Sequence, residues 1–341
     1  MYLVSILVPI YGVEKYIERC ARSVFDQTYP NLEFLFCNDS TPDNSMEILG
    51  RVIDDYPHLH ERIHILHHDH NQGIGATRNT LLDHCTGEFL THVHSDDWIE
   101  PNMLERLVKR QQETDADILT GGVFNHKANG EVITIKPYEH EYSREEALLA
   151  ILERRTNMTI WRRLIRTKLF LENSIRCIEG INMSEDASVT PKLFYYAKSV
   201  TKLPLPAIYH YYHINPNSYM TRYQHDWSLQ MDSLTVFRML AEFFDDKKEP
   251  FREAMRKSLV KHCYVNLIKN CRNLNHNGYN YILSLLNDTD SKYWPLIGWD
   301  KKRKRWLDHH YYINYLTLPL RRIKRKISKI SILTHKSPEQ P

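Results

Sequence analysis

The first 125 residues alternate between short runs that are almost wholly apolar and longer runs with helical spacing. Val4–Pro9, Leu32–Cys37, Ile63–Leu66 and Glu88–Val93 read as strands. Val13–Gln27, Ser45–Tyr56, Ile74–Cys85 and Met103–Gln112 read as helices, the first with Ile17, Cys20, Ala21 and Val24 along one face. Asp117–Val123 continues the pattern. Strands alternating with helices of about 10–15 residues form right-handed βαβ units, which return the chain in parallel. Strands that are apolar at nearly every position need helices over both faces of their sheet. The expected fold class is therefore α/β, a mostly parallel twisted sheet with helices on both faces, followed by a mainly helical C-terminal region.

Asn125–Tyr142 is polar and turn-rich, and Asn129-Gly130 marks a hairpin or a mobile loop there. Beyond Arg144 the texture is largely helical, broken by the extended stretch Leu205–Tyr212, and helices dominate after Trp227. The expected organisation is an α/β ligand-binding domain over 1–125, a second part of the same catalytic domain over 126–222, and a helical region over 223–341. With 341 residues, one large domain plus a smaller appended one is the natural division.

Composition removes several classes. A net charge of +3 is too near balance for a chain that binds nucleic acid as a whole. The six cysteines are scattered without a Cys-x-x-Cys pair, as expected of reduced thiols in the cytoplasm. The apolar run Leu3–Ile10 is too short, and lacks the basic flank, for a signal peptide. No uninterrupted apolar stretch approaches the roughly 18–20 residues of a membrane span.

The apolar run from Gly87 to Val93 leads into His94-Ser-Asp-Asp-Trp98. Carboxylates at the carboxyl end of a strand in an open α/β sheet lie in the crevice where ligands bind. They are also hard oxygen donors of the kind magnesium or manganese prefers. The pair alone is equally a cap for the helix that Pro101 begins.

Four clusters in sequence narrow the reading: Ser5-Ile-Leu-Val-Pro-Ile-Tyr11, Cys37-Asn-Asp-Ser-Thr41, Asn71-Gln-Gly-Ile-Gly-Ala-Thr-Arg-Asn79 and Ser95-Asp-Asp-Trp98. Together they resemble the family 2 glycosyltransferases, whose domain is of the nucleotide-diphospho-sugar transferase, or glycosyltransferase-A, type. The match is close over residues 3–125 and looser through Trp161, Glu185-Asp186 and Tyr209–Ser218.

The resemblance assigns roles residue by residue. Pro9, Tyr11 and Asp39 fall where the family holds the nucleoside base, usually uracil; a carboxylate accepts an imide N–H and a tyrosine offers a stacking face. Asp39 reads equally, from its local sequence, as an N-cap or Asx-turn residue. Arg78 matches an arginine that approaches the nucleotide, or is a helix-surface cation. Asp96 and Asp97 match the carboxylates that hold a divalent metal, manganese or magnesium, and the ribose–diphosphate. Asp96 is the expected ligand, and Asp97 also faces the acceptor side. His94 stands where the family usually has aspartate, and imidazole favours manganese, zinc or iron over magnesium. Asp186 occupies the place of the catalytic base in inverting members. Glu185 and Trp161 fall in the acceptor region, although Trp161 serves equally as a buried packing residue. His213 takes a position where the family often carries an arginine that reaches the diphosphate.

Six histidines between His58 and His70 lack clean ligand spacing and read as solvated surface. Near the C-terminus, Leu316, Leu320, Ile323, Ile327 and Ile330 share a helical face while Arg321, Arg322, Lys324, Arg325, Lys326 and Lys329 crowd the rest. A basic amphipathic helix suits an anionic membrane surface, or packs on the protein with its cations in solvent.

The resulting expectation is an inverting glycosyltransferase of surface polysaccharide synthesis. It would move a sugar from a nucleotide donor, UDP-linked, to a glycan or lipid-linked acceptor at the cytoplasmic face of the plasma membrane. A processive synthase fits less well, since the Gln-x-x-Arg-Trp motif is absent. The competing expectation is a non-catalytic nucleotide-sugar-binding protein, motivated by His94, by Gly12 where asparagine is usual and by Leu81 where glycine is usual. A dinucleotide dehydrogenase is the weakest option, because the first strand leads into Pro9-Ile-Tyr-Gly-Val-Glu and not a Gly-x-Gly-x-x-Gly turn.

Overall fold

The computed structural model describes residues 1–138, 140–212, 219–273, 275–288 and 293. The chain divides into two compact units, Met1–Met255 and Arg256–Pro341. Strands β1 (Val4–Ile10), β2 (Leu32–Asn38), β3 (Ile63–His67) and β4 (Phe89–His92) are joined by helices α1 (Ile17–Phe25), α2 (Ser45–Asp54) and α3 (Ile74–His84). Then come β5 (Trp98–Ile99), α4 (Met103–Thr114), β6 (Ile118–Thr120), β7 (Val123–His126), β8 (Val132–Ile135) and α5 (Arg144–Leu152). The first unit continues through β9 (Arg163–Arg166), α6 (Lys168–Glu172), α7 (Glu185–Tyr196), β10 (Val200–Lys202), β11 (Tyr209–Tyr212), α8 (Tyr219–Arg222) and α9 (Trp227–Phe244). Helix α10 (Phe251–Arg272) carries the chain into the second unit, which also holds α11 (His276–Asp288).

Seven strands form the main sheet in the order β10-β6-β9-β4-β1-β2-β3. All pairs are parallel except those of β9, which runs antiparallel to both β4 and β6. The expected mostly parallel α/β sheet is therefore present. Every residue of β1 is buried, as its unbroken apolar run requires, whereas β3 is an edge strand and mostly exposed. Strands β5, β11, β7 and β8 make a second, smaller sheet. Its β7–β8 pair is a hairpin, the first of the two conformations open to Asn125–Tyr142, and Gly130 in its turn takes φ +82°.

Three strands were not legible, the two-residue β5 among them. Arg163–Arg166 reads as polar, yet β9 completes the sheet; β10 is only three residues long. Helices α1 and α4 bury one stripe each, Ile17, Cys20, Ala21, Val24 and Phe25 in the first, Met103, Leu104, Leu107 and Val108 in the second. Each of the Ile, Val, Leu, Phe and Met side chains among them stabilises the fold by about 1.5–3 kcal/mol relative to exposure. In the second unit, Tyr279, Ile282, Leu283 and Leu286 of α11 are buried at helical spacing. Among the described residues no helix is long and apolar enough to cross a membrane. The basic amphipathic stretch from Leu316 lies outside the described residues.

One buried carboxylate fastens the sheet beneath the site. Glu33, on β2, accepts hydrogen bonds from Ser5 Oγ on β1, from Thr86 N (2.6 Å) and Oγ1 (2.7 Å), and from Gly87 N (3.0 Å). A Cβ on Gly87 would stand 2.7 Å from Ser5 N, so only glycine permits this approach. Burial pushes the Glu33 carboxyl up, but the donors from Ser5, Thr86 and Gly87 outweigh it and hold it below its ordinary value. A depressed carboxyl stabilises the fold above its unfolded pKa, and that stabilisation is lost as pH falls through the folded value. Glu33→Ala is expected to cost about 2–3 kcal/mol at pH 7. In denaturant titrations its deficit against wild type should shrink near pH 3.

Candidate active site

The carboxyl ends of β1, β2 and β4 deliver Ile10–Gly12, Asp39 and His94–Asp97 to one edge of the sheet, where ligands of open α/β sheets bind. Asp39 is only 3 % exposed. It accepts the backbone N–H of Gln72 (2.8 Å) and of Gly73 (2.9 Å), and it pairs with His68 Nδ1 at 2.7 Å. The Asx-type bond to the following turn is made instead by Asn38, whose Oδ1 accepts from Thr41 N at 2.8 Å. Asp39 thus holds the Asn71–Gly73 loop closed. His68 continues the chain to Thr80 Oγ1 at 2.9 Å, and its side chain is 6 % exposed. It departs from the solvated surface expected of the histidine run, in which His58, His60, His64, His67 and His70 are exposed.

Helix α3 begins at that loop. Gly73 takes φ +87°, and a Cβ on Gly75 would collide with the carbonyl oxygen of Ile178. This close approach brings Arg78, 2 % exposed, against the start of α7. Arg78 Nη1 donates to Asp186 Oδ1, Nη2 lies 3.4 Å from Glu185 Oε1, and Nη2 donates to His94 Nε2 at 2.8 Å. The guanidinium has no acceptor capacity, so His94 Nε2 must be the unprotonated nitrogen. The ring proton then sits on Nδ1, 3.8 Å from Asp97 Oδ2. Burial and the Arg78 charge push the His94 imidazole below its ordinary value, which keeps it neutral. Burial pushes the Glu185 carboxyl up to about 7, against the opposing pull of Arg78.

Asp97 is fully buried and accepts from Tyr209 Oη (2.8 Å) and Tyr212 N (2.8 Å). Burial first, and then Asp96, push its carboxyl well above the ordinary range. Asp96 is partly exposed, and its carbonyl accepts from Arg19 Nη2 at 3.0 Å. The Arg19 guanidinium lies 3.7 Å from the Trp98 ring centroid and 4.7 Å from that of Tyr212. Ligand atoms of His94, Asp96 and Asp97 lie within 4.8 Å of one another, the one such metal-capable group among the described residues. Two crowded carboxylates are a hard-donor set whose surplus negative charge suits a divalent cation. Ligation by His94 itself requires Arg78 to release Nε2 or the proton to leave Nδ1.

The other expected residues fall as follows. Pro9 is buried in β1, and Tyr11 is 47 % exposed at its end. Burial raises the Tyr219 phenol of α8, opposed by Arg222 and reinforced by Tyr11, Glu185 and Asp39. Trp161 is buried, with its ring 4.7 Å from Tyr209, 5.3 Å from Tyr211 and 6.0 Å from His94. His213 lies outside the described residues. Arg19, His68 and Tyr209 carry bonds to the site that the sequence reading did not assign.

The comparisons with known proteins decide the family. The model for glycosyl transferase family 2 matches residues 5–172, which contain the strand ends, Arg78 and the His94–Asp97 turn. Those residues form a glycosyl transferase family 2 domain. EpsH of Bacillus subtilis is 27 % identical over 268 residues, which are 77 % of this chain and 75 % of that protein. A chondroitin synthase of Pasteurella multocida is 31 % identical over 152 residues, 44 % of this chain but only 15 % of the synthase. A crystal structure of S. aureus TarS 1–349 in complex with UDP-GlcNAc aligns with a TM-score of 0.71 at 19 % identity, covering 92 % of this chain and 90 % of that one. It carries the same glycosyltransferase-A-type fold.

Arg78 and Glu185 have measurable consequences. Arg78→Met leaves two acidic side chains without their buried cation and is expected to cost about 3–5 kcal/mol of stability. Glu185 has the opposite sign from Glu33. Its folded pKa is raised, so its stabilisation is complete below the unfolded value and is lost as pH rises through about 7. Glu185→Gln should therefore be more stable than wild type at pH 8, with the difference vanishing near pH 4.5.

Proposed function

We propose that this chain, through its family 2 domain, moves a sugar from a UDP-linked donor to a hydroxyl of a glycan or lipid-linked acceptor, with inversion at the anomeric carbon. The observation that carries the reading is the Arg78 bridge, which joins Asp186 to the His94–Asp97 turn at the carboxyl ends of the strands. In this reading Asp186 is the base, Arg78 holds one of its oxygens, and the acceptor hydroxyl docks against the other. Asp186 takes the hydroxyl proton as the acceptor oxygen bonds to the anomeric carbon. The bond to the diphosphate breaks on the opposite side, and its electron pair leaves with UDP. Asp39 holds the loop that borders the base, and Pro9 and Tyr11 line it from β1. Asp96, with Asp97 and His94 within reach, would hold manganese or magnesium. When bound, that ion supplies Lewis-acid offset of charge on the departing diphosphate.

The names of the relatives support a role in polysaccharide synthesis, and the UDP-GlcNAc bound to TarS supports a uridine donor. The basic residues from Arg321 to Lys329 would bring the enzyme to an anionic leaflet, where a lipid-linked acceptor resides. Deletion of residues 316–341 should then abolish sedimentation with anionic liposomes; unchanged sedimentation would exclude this docking.

One observation favours a second reading, a binding protein without turnover: His94 Nε2 is already occupied by Arg78. The test is nucleoside diphosphate release from UDP-, GDP- and dTDP-sugars with manganese, magnesium or EDTA. Metal-dependent release from a UDP-sugar is expected, falling by about 10²–10⁴-fold in Asp186→Asn. Binding of UDP without release, with or without acceptor glycans, would favour the second reading.

A further inference from the structure

Arg162 and Arg163 enter the interior together at the start of β9, exposed by 1 % and 0 %. A buried charge is costly unless it is paired and hydrogen-bonded. Arg163 is satisfied by neutral groups. It donates to Thr159 O (2.8 Å), Asn157 O (3.1 Å) and Thr120 Oγ1, and lies over the Phe194 ring. Arg162 is not satisfied. Among the described residues its guanidinium makes one hydrogen bond, from Nη1 to Gly121 O, long at 3.4 Å, and its buried Nε has no partner. Neither arginine faces a carboxylate among the described residues. Arg162 also sits in the left-handed region with φ +61°, a conformation that costs energy in a side-chain-bearing residue.

Arg162 lines a cavity of about 410 Å³, within the range that binds small molecules. Lys136, Arg155, Tyr138, Tyr142 and Asn157 share the wall, and no acidic residue does among the described residues; Glu153, which pairs with Arg155 Nε at 2.8 Å, is not part of the lining. The three cations thus converge on a space that two phenol rings border, their centroids 5.0 Å apart. Burial, and then the neighbouring Arg163, push the Arg162 guanidinium down to about 9. An anion in the cavity would relieve that cost. The preceding residue, Trp161, packs beside His94, so one step of chain links the cavity wall to a residue that packs on the candidate active site.

We propose that this cavity binds an oxyanion, phosphate or carboxylate, carried by a sugar of the acceptor. Arg162 bonds it from the floor, Lys136 and Arg155 bond it from the rim, and the tyrosines face the sugar ring. Only the word acceptor rests on the transfer reading above. The charge preference of the cavity stands without it.

The test is calorimetric titration of the full chain with glucose 6-phosphate, glucuronate, glucose and inorganic phosphate, with UDP as a control for folding. Charged sugars should bind and glucose should not. Inorganic phosphate should bind about tenfold more weakly than glucose 6-phosphate. Lys136→Ala and Arg155→Ala, which change only rim side chains, should each weaken binding about tenfold and leave UDP binding unchanged. Arg162→Met should abolish it. Equal binding of glucose, or indifference to both rim variants, would overturn the proposal. Inorganic phosphate binding as tightly as the sugar phosphate would reduce the cavity to a free-anion site and overturn it equally. Donor cleavage without charged-sugar binding would remove this inference alone. Charged-sugar binding without donor cleavage would remove the transfer reading and leave the cavity.

Discussion

The candidate site depends on one buried guanidinium. Arg78 touches the base candidate, its acidic neighbour and the histidine of the His94–Asp97 turn, three groups from two segments about a hundred residues apart in sequence. The rest of the local structure places it. Asp39 closes the loop that starts α3, and Gly75 lets the helix approach the Ile178 carbonyl. Asn79 then clips α3 to Cys177, accepting its N–H at 2.9 Å and donating to its carbonyl at 3.0 Å. A lysine could satisfy one of these partners as a point charge, but not all of them with the fixed fork of a guanidinium.

His94 gains a physical account in the same frame. An aspartate there would compete with Glu185 and Asp186 for the single Arg78 charge. A neutral imidazole accepts one N–H and leaves that charge to the two acids. The cost is a weaker hard-donor set around Asp96, partly met by Asp97. That carboxylate is too deeply held by Tyr209 and Tyr212 to move, so it also pins β11 to the turn.

Legibility in the sequence followed how local each cause was. Strands β1, β2 and β4 are apolar runs buried by helices adjacent in sequence, and periodicity alone reveals them. Strand β9 is invisible to that rule. Its arginines satisfy their donors on neutral oxygens and on acids far along the chain, and it pairs antiparallel between β4 and β6. The site divides the same way. Asp39, Asp96 and Asp186 follow strand ends or open a helix, so order along the chain locates them. Arg19 reaches Asp96 across 77 residues and Tyr209 reaches Asp97 across 112, and nothing in either segment announces it. His68 was hidden for a different reason. It differs from its five exposed neighbours only because it turns inward at the end of edge strand β3 to meet Asp39.

The two buried arginine sites then separate structure from function by charge balance. At Arg78 the cation is matched by acids of the same chain, although its Nε, like that of Arg162, has no partner. At Arg162 the protein has buried a cation beside another, strained its backbone and supplied no acid among the described residues. Apolar replacements of similar volume would fold better by every local rule, and violations of that kind concentrate where a ligand completes the balance. The anion that Arg162 lacks is therefore the strongest constraint this chain places on the chemistry of whatever enters that cavity.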